Sequence, residues 1–233
     1  MTSEISLVDL SKRFDQFQAL SAINAEIKSG TLTGLVGPDG AGKTTLMRIM
    51  GALMMPTKGS ARVSDLDVTV DAKKVHNITG YMPQRFGLYE DLSVIENLDL
   101  YAALRGLTGI ERKETFQRLL EFTSLAPFIK RLAGQLSGGM KQKLGLACAL
   151  MAKPKVLLLD EPSVGVDPVS RQELWQMVQA LTESGMAVIW ATAYLDEAER
   201  CQEVMLLDHG KMVYNGAPEL LTERLQGRSM VVT

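Results

Sequence analysis

Cysteine and histidine are nearly missing from these 233 residues. The two cysteines, Cys148 and Cys201, fall in helical-looking stretches without metal-ligand spacing and read as buried or half-buried thiols of a reducing, intracellular setting. His76 and His209 have no metal-like neighbours and read as surface residues. A basic excess is missing too: 25 Lys and Arg stand against 27 Asp and Glu, a net charge of −2. That excludes the broad positive field of a nucleic-acid surface, so any phosphate binding must be local. Long apolar runs are absent; the stretch at 144–152 falls far short of the roughly 18 to 20 residues a spanning helix needs. The first residues lack the basic-then-apolar order of a signal peptide, and the chain has no repeat, low-complexity tract or linker. A protein of this kind would serve a membrane only by docking to it.

What is present points to one folding unit. A 46% hydrophobic content over this length supports one sizeable core, with room for two lobes. Short β-type runs at 31–36, 156–159, 186–190 and 204–207 alternate with helix-like stretches, the pattern of a mostly parallel sheet. Val156-Leu157-Leu158-Leu159 is wholly apolar, as a strand buried on both faces should be. Residues 5–10 and 23–27 alternate more and suggest antiparallel strands flanking that sheet. Between 83 and 152 the strand signal disappears, and apolar residues recur at helical spacing through 94–104, 116–125 and 144–151, a helical insert of about 70 residues. Asp167-Pro168 predicts a capped helix over 168–181. Thirteen methionines, among them Met47, Met50, Met54 and Met55, read as fillers of core gaps.

Chemistry enters at Gly37-Pro38-Asp39-Gly40-Ala41-Gly42-Lys43-Thr44, which has the spacing of a phosphate-binding P-loop and lies after a strand and before a helix. Glycines let backbone N–H groups converge on a β-phosphate, and the positive end of the following helix adds to them. Lys43 would reach the β- and γ-phosphates, Thr44 would bind Mg²⁺ through its hydroxyl, and Thr45 extends the loop's contact with nucleotide. Asp160 and Glu161 close the strand at 156–159 and put two carboxylates at the sheet edge where open α/β folds bind ligands. Asp160 would hold Mg²⁺; Glu161 would polarise the attacking water as general base.

Leu136-Ser137-Gly138-Gly139-Met140-Lys141-Gln142 resembles the signature of ATP-binding cassette (ABC) ATPases, and with the other motifs in order the resemblance covers essentially the whole chain. Ser137 can cap a helix whose amides face an anion. The resemblance implies an α/β P-loop nucleoside triphosphatase fold with an antiparallel β flank and a helical subdomain, the core lobe at about 1–82 and 153–233 and the helical subdomain at about 83–152. It further implies that Ser137, Gly138, Gly139 and Gln142 face the γ-phosphate of ATP held by a second cassette. Phe14 is placed like the aromatic residue that stacks on adenine, with Phe17 competing, and Gln84 like the glutamine that senses Mg²⁺ and the γ-phosphate. Val164-Gly165-Val166-Asp167 resembles the loop through which paired cassettes touch, with Val166 where leucine is commoner. One departure matters: Ala193 replaces the family's switch histidine, which predicts a site that binds ATP and turns it over slowly.

Residues 86–98 resemble the segment that, in ATP-binding subunits of ABC-2 type drug exporters, helps form a groove for a cytoplasmic helix of the permease. Phe86, Tyr89 and Tyr101 equally fit a role as packing of the insert. The implied assignment is the motor of an exporter of drug-like or other small compounds on the cytoplasmic face of a membrane, with a second cassette and an ABC-2 permease as partners and no nucleic acid. The apolar end, Met230-Val231-Val232, suggests a piece of a longer two-cassette chain. Two alternatives stay open: a soluble cassette acting on a ribosome or nucleic acid, whose basic arm or coiled-coil insertion is missing, and a regulatory cassette with a degenerate site.

Overall fold

The computed structural model describes residues 3–84 and 87–225, without the side chains of 222–225. Along the chain run β1 (Ser3–Phe14), β2 (Phe17–Lys28), β3 (Leu32–Val36), α1 (Lys43–Met50), β4 (Lys58–Val63), β5 (Leu66–Asp67), α2 (Ala72–Ile78) and β6 (Thr79–Met82). Then follow α3 (Val94–Leu104), α4 (Gly109–Phe122), α5 (Gly138–Ala149), β7 (Val156–Asp160), α6 (Pro168–Glu183), β8 (Ala187–Thr192), α7 (Leu195–Ala198), β9 (Glu203–Asp208), β10 (Lys211–Gly216) and α8 (Pro218–Leu225).

The central sheet has the order β10-β9-β3-β8-β7-β6, parallel except for the edge strand β10. A second, antiparallel sheet, β2-β1-β4-β5, covers one face, with Ile5 opposite Ile27 and Leu10 opposite Ile23. Period-two alternation in β7 and β8 splits their side chains between two cores. Leu157, Leu159, Val188 and Trp190 pack with Leu98, Leu144, Leu174 and Trp175 from the helices; Val156, Leu158, Ile189 and Ala191 pack with α1 and the antiparallel sheet. Burial on both faces is why these strands read as unbroken apolar runs.

Helix starts follow local capping chemistry. Ser93 and Glu96 form a reciprocal capping box at α3. The Met140 N–H donates to Ser137 Oγ at 3.3 Å, and Asp167 Oδ1 accepts from Val169 and Ser170, with Pro168 at the first helical position of α6. Those bonds hold the Asp167 carboxyl below its usual range.

Several expectations need correction. The helix expected over 116–125 spans Gly109–Phe122, because its first turns are polar and carry no apolar repeat. β4, β5, β6 and β10 are absent from the sequence reading; the four residues of β6, Thr79-Gly80-Tyr81-Met82, are too few to show a period. Met47 and Met50 are buried and Met54 packs beside them, whereas Met55 is 57% exposed, because α1 has ended and helical spacing no longer turns it inward. His209 is exposed, but His76 is half-buried, its Nε2 paired with the Ala52 carbonyl at 3.2 Å. Both cysteines are buried thiols. Tyr101 is half-buried and donates to the Gly87 carbonyl at 2.6 Å, consistent with packing; Tyr89 is 58% exposed and is not among the residues packed on the core, its backbone instead paired with the Asn97 side chain of α3. Phe86 and the 230–232 segment lie outside the described residues.

Candidate functional site

The loop 37–42 leaves the C-terminal end of β3 and delivers Lys43 into the first turn of α1. Its start is tied to β8 by the Gly37 N–H on the Thr192 carbonyl, 3.3 Å. Gly42 takes a left-handed φ of +107°, and a Cβ there would lie 2.8 Å from the Ala19 carbonyl and from Leu20, so only glycine fits under the β2 backbone. Lys43 folds back over the loop, nearly buried, and its Nζ donates to the carbonyls of Gly37 (2.7 Å) and Pro38 (3.2 Å).

Asp160 ends β7 and Glu161 follows in a left-handed conformation, φ +52°, while its N–H still donates to the Ala191 carbonyl at 3.0 Å. That kink turns the Glu161 carboxylate toward the loop. Oε2 accepts from Gln84 Nε2 at 2.7 Å, and Oε1 lies 3.4 Å from Lys43 Nζ. The buried Asp160 carboxylate accepts from Thr44 Oγ1 on one oxygen and from Tyr81 Oη on the other, each at 3.2 Å. Burial pushes its carboxyl above the ordinary range, opposed by those two hydroxyl bonds. Burial, and then the Asp160 charge, pushes the Tyr81 phenol up to about 12, so it stays protonated and donates.

Lys43, Thr44, Gln84 and Glu161 line a cavity of about 420 Å³ with Asp39, Gly40, Ala41, Gly42, Thr45, Phe14 and Phe17; Gly37, Pro38 and Asp160 are not among its lining residues, and Asp160 reaches it only through its bond to Thr44. The two phenylalanines pair across the β1–β2 hairpin, so both aromatic candidates border the cavity. Ser137, Gly138, Gly139 and Gln142 do not line it; they lie on and before α5. Ser137 is exposed, while Gly139 is packed so tightly on α6 that a Cβ would come within 2.3 Å of Ser170. Gln142 is buried, with Oε1 unpaired among the described residues, so its side chain faces its own chain rather than outward. Ala193 is exposed directly after Thr192, beside the root of the loop.

Sequence reasoning missed Tyr81, which lies on an unrecognised strand whose parallel register with β7 brings it beside Asp160. The donors around the Thr44–Asp160 pair are oxygens of a hydroxyl and a carboxylate, the set a hard divalent cation prefers. Among the described residues no cluster of three or more His, Cys, Asp or Glu forms a self-contained metal site.

A glycine-rich loop cradling a lysine at a helix start, beside an aspartate and a glutamate at the end of a parallel strand with one strand between, defines a P-loop nucleoside triphosphatase. Within that class the chain belongs to the ABC transporter family: the family's model, described as "ABC transporter", matches residues 20–164. It is 58% identical over 231 residues to "Probable multidrug ABC transporter ATP-binding protein YbhF" of Escherichia coli (strain K12), covering 98% of this chain and 40% of that protein's length. It is 37% identical to the "Daunorubicin resistance ATP-binding protein DrrA3" of Streptomyces coeruleorubidus, covering 91% of this chain and 68% of that one. Among solved structures, an "ATP binding subunit of ABC transporter" superposes with a TM-score of 0.85 at 26% identity, covering 98% of this chain and 95% of that one. The dimeric cassette MJ0796 bound to ADP and Pi superposes with a TM-score of 0.82 at 26% identity, covering 92% and 98%.

Proposed function

We propose that this chain binds ATP with Mg²⁺ and hydrolyses it to drive export of drug-like or other small compounds through a separate ABC-2 type permease, acting with a second cassette at the cytoplasmic face of the membrane. The observation that carries the reading is the Glu161 carboxylate, held by Gln84 and Lys43 at the edge of the cavity that the phosphate loop lines. The loop 37–45 would hold the phosphates by its amides, and Lys43 would exchange its bonds to Gly37, Pro38 and Glu161 for bonds to phosphate oxygens. Glu161, released from the lysine, would take the proton of the attacking water as its oxygen bonds to the γ-phosphorus and the bridge to ADP breaks, with Gln84 fixing the carboxylate's direction. Thr44 and Asp160, with Gln84 near them, would hold Mg²⁺, which when bound neutralises charge on the β- and γ-oxygens. Phe14 would stack on adenine. Ser137, Gly138 and Gly139 would close on the nucleotide of the second cassette, and Gln142 would support their helix from inside.

Drug resistance and multidrug transport in the names of the relatives support the export reading. No helix among the described residues is long and apolar enough to cross a membrane, so the reading needs a permease. The core lobe (1–82, 153–233) would bear the nucleotide, and the helical subdomain (83–152) would carry its motion to that partner.

Phosphate release by the purified chain, beside Glu161→Gln and with ATP binding measured separately, tests the catalytic part. Hydrolysis lost with binding kept is expected, and an unchanged rate would overturn it. Co-purification with an integral membrane protein is expected for the export part; salt-dependent sedimentation with ribosomes would overturn that part.

A further inference from the structure

Tyr81 has no part in the reading above, yet it touches the site. Its hydroxyl holds one oxygen of the Asp160 carboxylate while Thr44 holds the other. A carboxylate can swing about its last bond and offer either oxygen; two donors on opposite oxygens fix the plane and the direction of the remaining lone pairs. The charge of Arg48 on α1 also acts on the phenol, against burial and the Asp160 charge. The β6–β7 pairing, Tyr81 opposite Leu158 and Met82 opposite Leu159, brings the ring alongside the end of β7.

Core packing alone does not place this hydroxyl. The ring packs against the core on one side and borders a second cavity, of about 450 Å³, lined also by Leu53, His76, Leu104 and Arg105. With one side open, the ring leaves its hydroxyl to be held by polar bonds. Phenylalanine would fill the same volume and form none of them.

We propose that Tyr81 is a positioning residue for the divalent cation: its hydroxyl orients the Asp160 carboxylate that would share the cation with Thr44. The inference rests on the ATPase reading and adds a residue to that site. Groups hydrogen-bonded to metal ligands commonly change metal affinity by about 10- to 100-fold when removed, and one hydroxyl at 3.2 Å should fall at the lower end.

The test is Tyr81→Phe in the chain, with fluorescent ATP binding titrated against Mg²⁺ and again in EDTA, and Mn²⁺ binding to the ATP complex followed by electron paramagnetic resonance. The expected result is an unchanged melting temperature and unchanged ATP affinity in EDTA, with about tenfold more Mg²⁺ or Mn²⁺ needed for half-saturation. In an Asp160→Asn background the same substitution should add nothing, since the group it orients is gone. An unchanged cation requirement would overturn the proposal, and so would an equal loss of ATP affinity with and without cation, which would mark a residue of the pocket wall. If the unsubstituted chain bound no ATP under either condition, the ATPase reading would fall first and take this one with it.

Discussion

The loops after β7 and β8 leave the same edge of one sheet side by side, and they differ in what they carry. At the end of β7 come Asp160 and then Glu161, each held by two partners, with backbone strain accepted at Glu161 to aim its carboxylate. After β8 comes Ala193, a methyl group that can neither donate nor accept. The frame behind Ala193 is nevertheless elaborate. Trp190 stacks on Trp175 with ring centroids 4.1 Å apart and donates its indole N–H to the buried Glu197 carboxylate at 2.9 Å, while Thr192 Oγ1 caps the backbone of Tyr194. Shape and reactive group are thus separable: the second loop keeps its scaffold, including the tie from Thr192 to Gly37, without a polar side chain at position 193.

If the loop after β7 alone carries the chemistry, Glu161→Gln should produce the largest effect, a loss of hydrolysis of about 10²- to 10⁴-fold. ATP affinity should stay, or rise as the carboxylate opposite Lys43 loses its charge. Turnover that survived the substitution would mean the proton leaves by another group and the contrast between the loops is false. Ala193→His attacks the comparison from the other side. A histidine on an intact frame should raise turnover about tenfold, below the 10²- to 10³-fold span of a fully adapted donor to transition-state charge. An unchanged rate would show that the chain's own site does not lack that contact.

The two loops also differ in how far they could be read in the sequence. The phosphate loop and the Asp160-Glu161 pair were legible because their chemistry needs contiguous residues at fixed spacing, and Ala193 because it interrupts such a segment. Tyr81 was not legible: its partner lies 79 positions away, and the strand that aligns the two is four residues long. Glu197 was hidden differently, since Asp196-Glu197-Ala198-Glu199 looks like a solvated acidic turn until β8 places an indole N–H against it. The parallel sheet and its antiparallel cover followed from hydrophobic periodicity. The start of α4 did not, because polar first turns leave no such mark.

The frame itself can be tested without touching chemistry. Glu197→Ala would leave the buried Trp190 N–H without its acceptor and should lower unfolding free energy by about 1–3 kcal/mol in urea titration. Glu197→Gln keeps an acceptor and should cost clearly less. Equal losses would mean that charge, not the hydrogen bond, anchors the loop.

The smallest effect expected lies at the two phenylalanines that border the cavity, which the proposed reading gives to the base. Phe14 is 41% exposed with the Lys12 ammonium 4.9 Å over its ring, so one face is already taken and the ring is held; Phe17 is 63% exposed, without such a cation among the contacts described. A restrained ring loses less freedom when a base stacks on its open face. Phe14→Ala should therefore weaken ATP binding by about 1 kcal/mol, the low end of base–aromatic stacking, or roughly fivefold in a calorimetric titration. Phe17→Ala should change it by under about twofold, since a mobile ring spends part of the stacking energy on becoming ordered. The reverse order of effects would make Phe17 the platform and leave Phe14 as the floor that supports the hairpin beneath it.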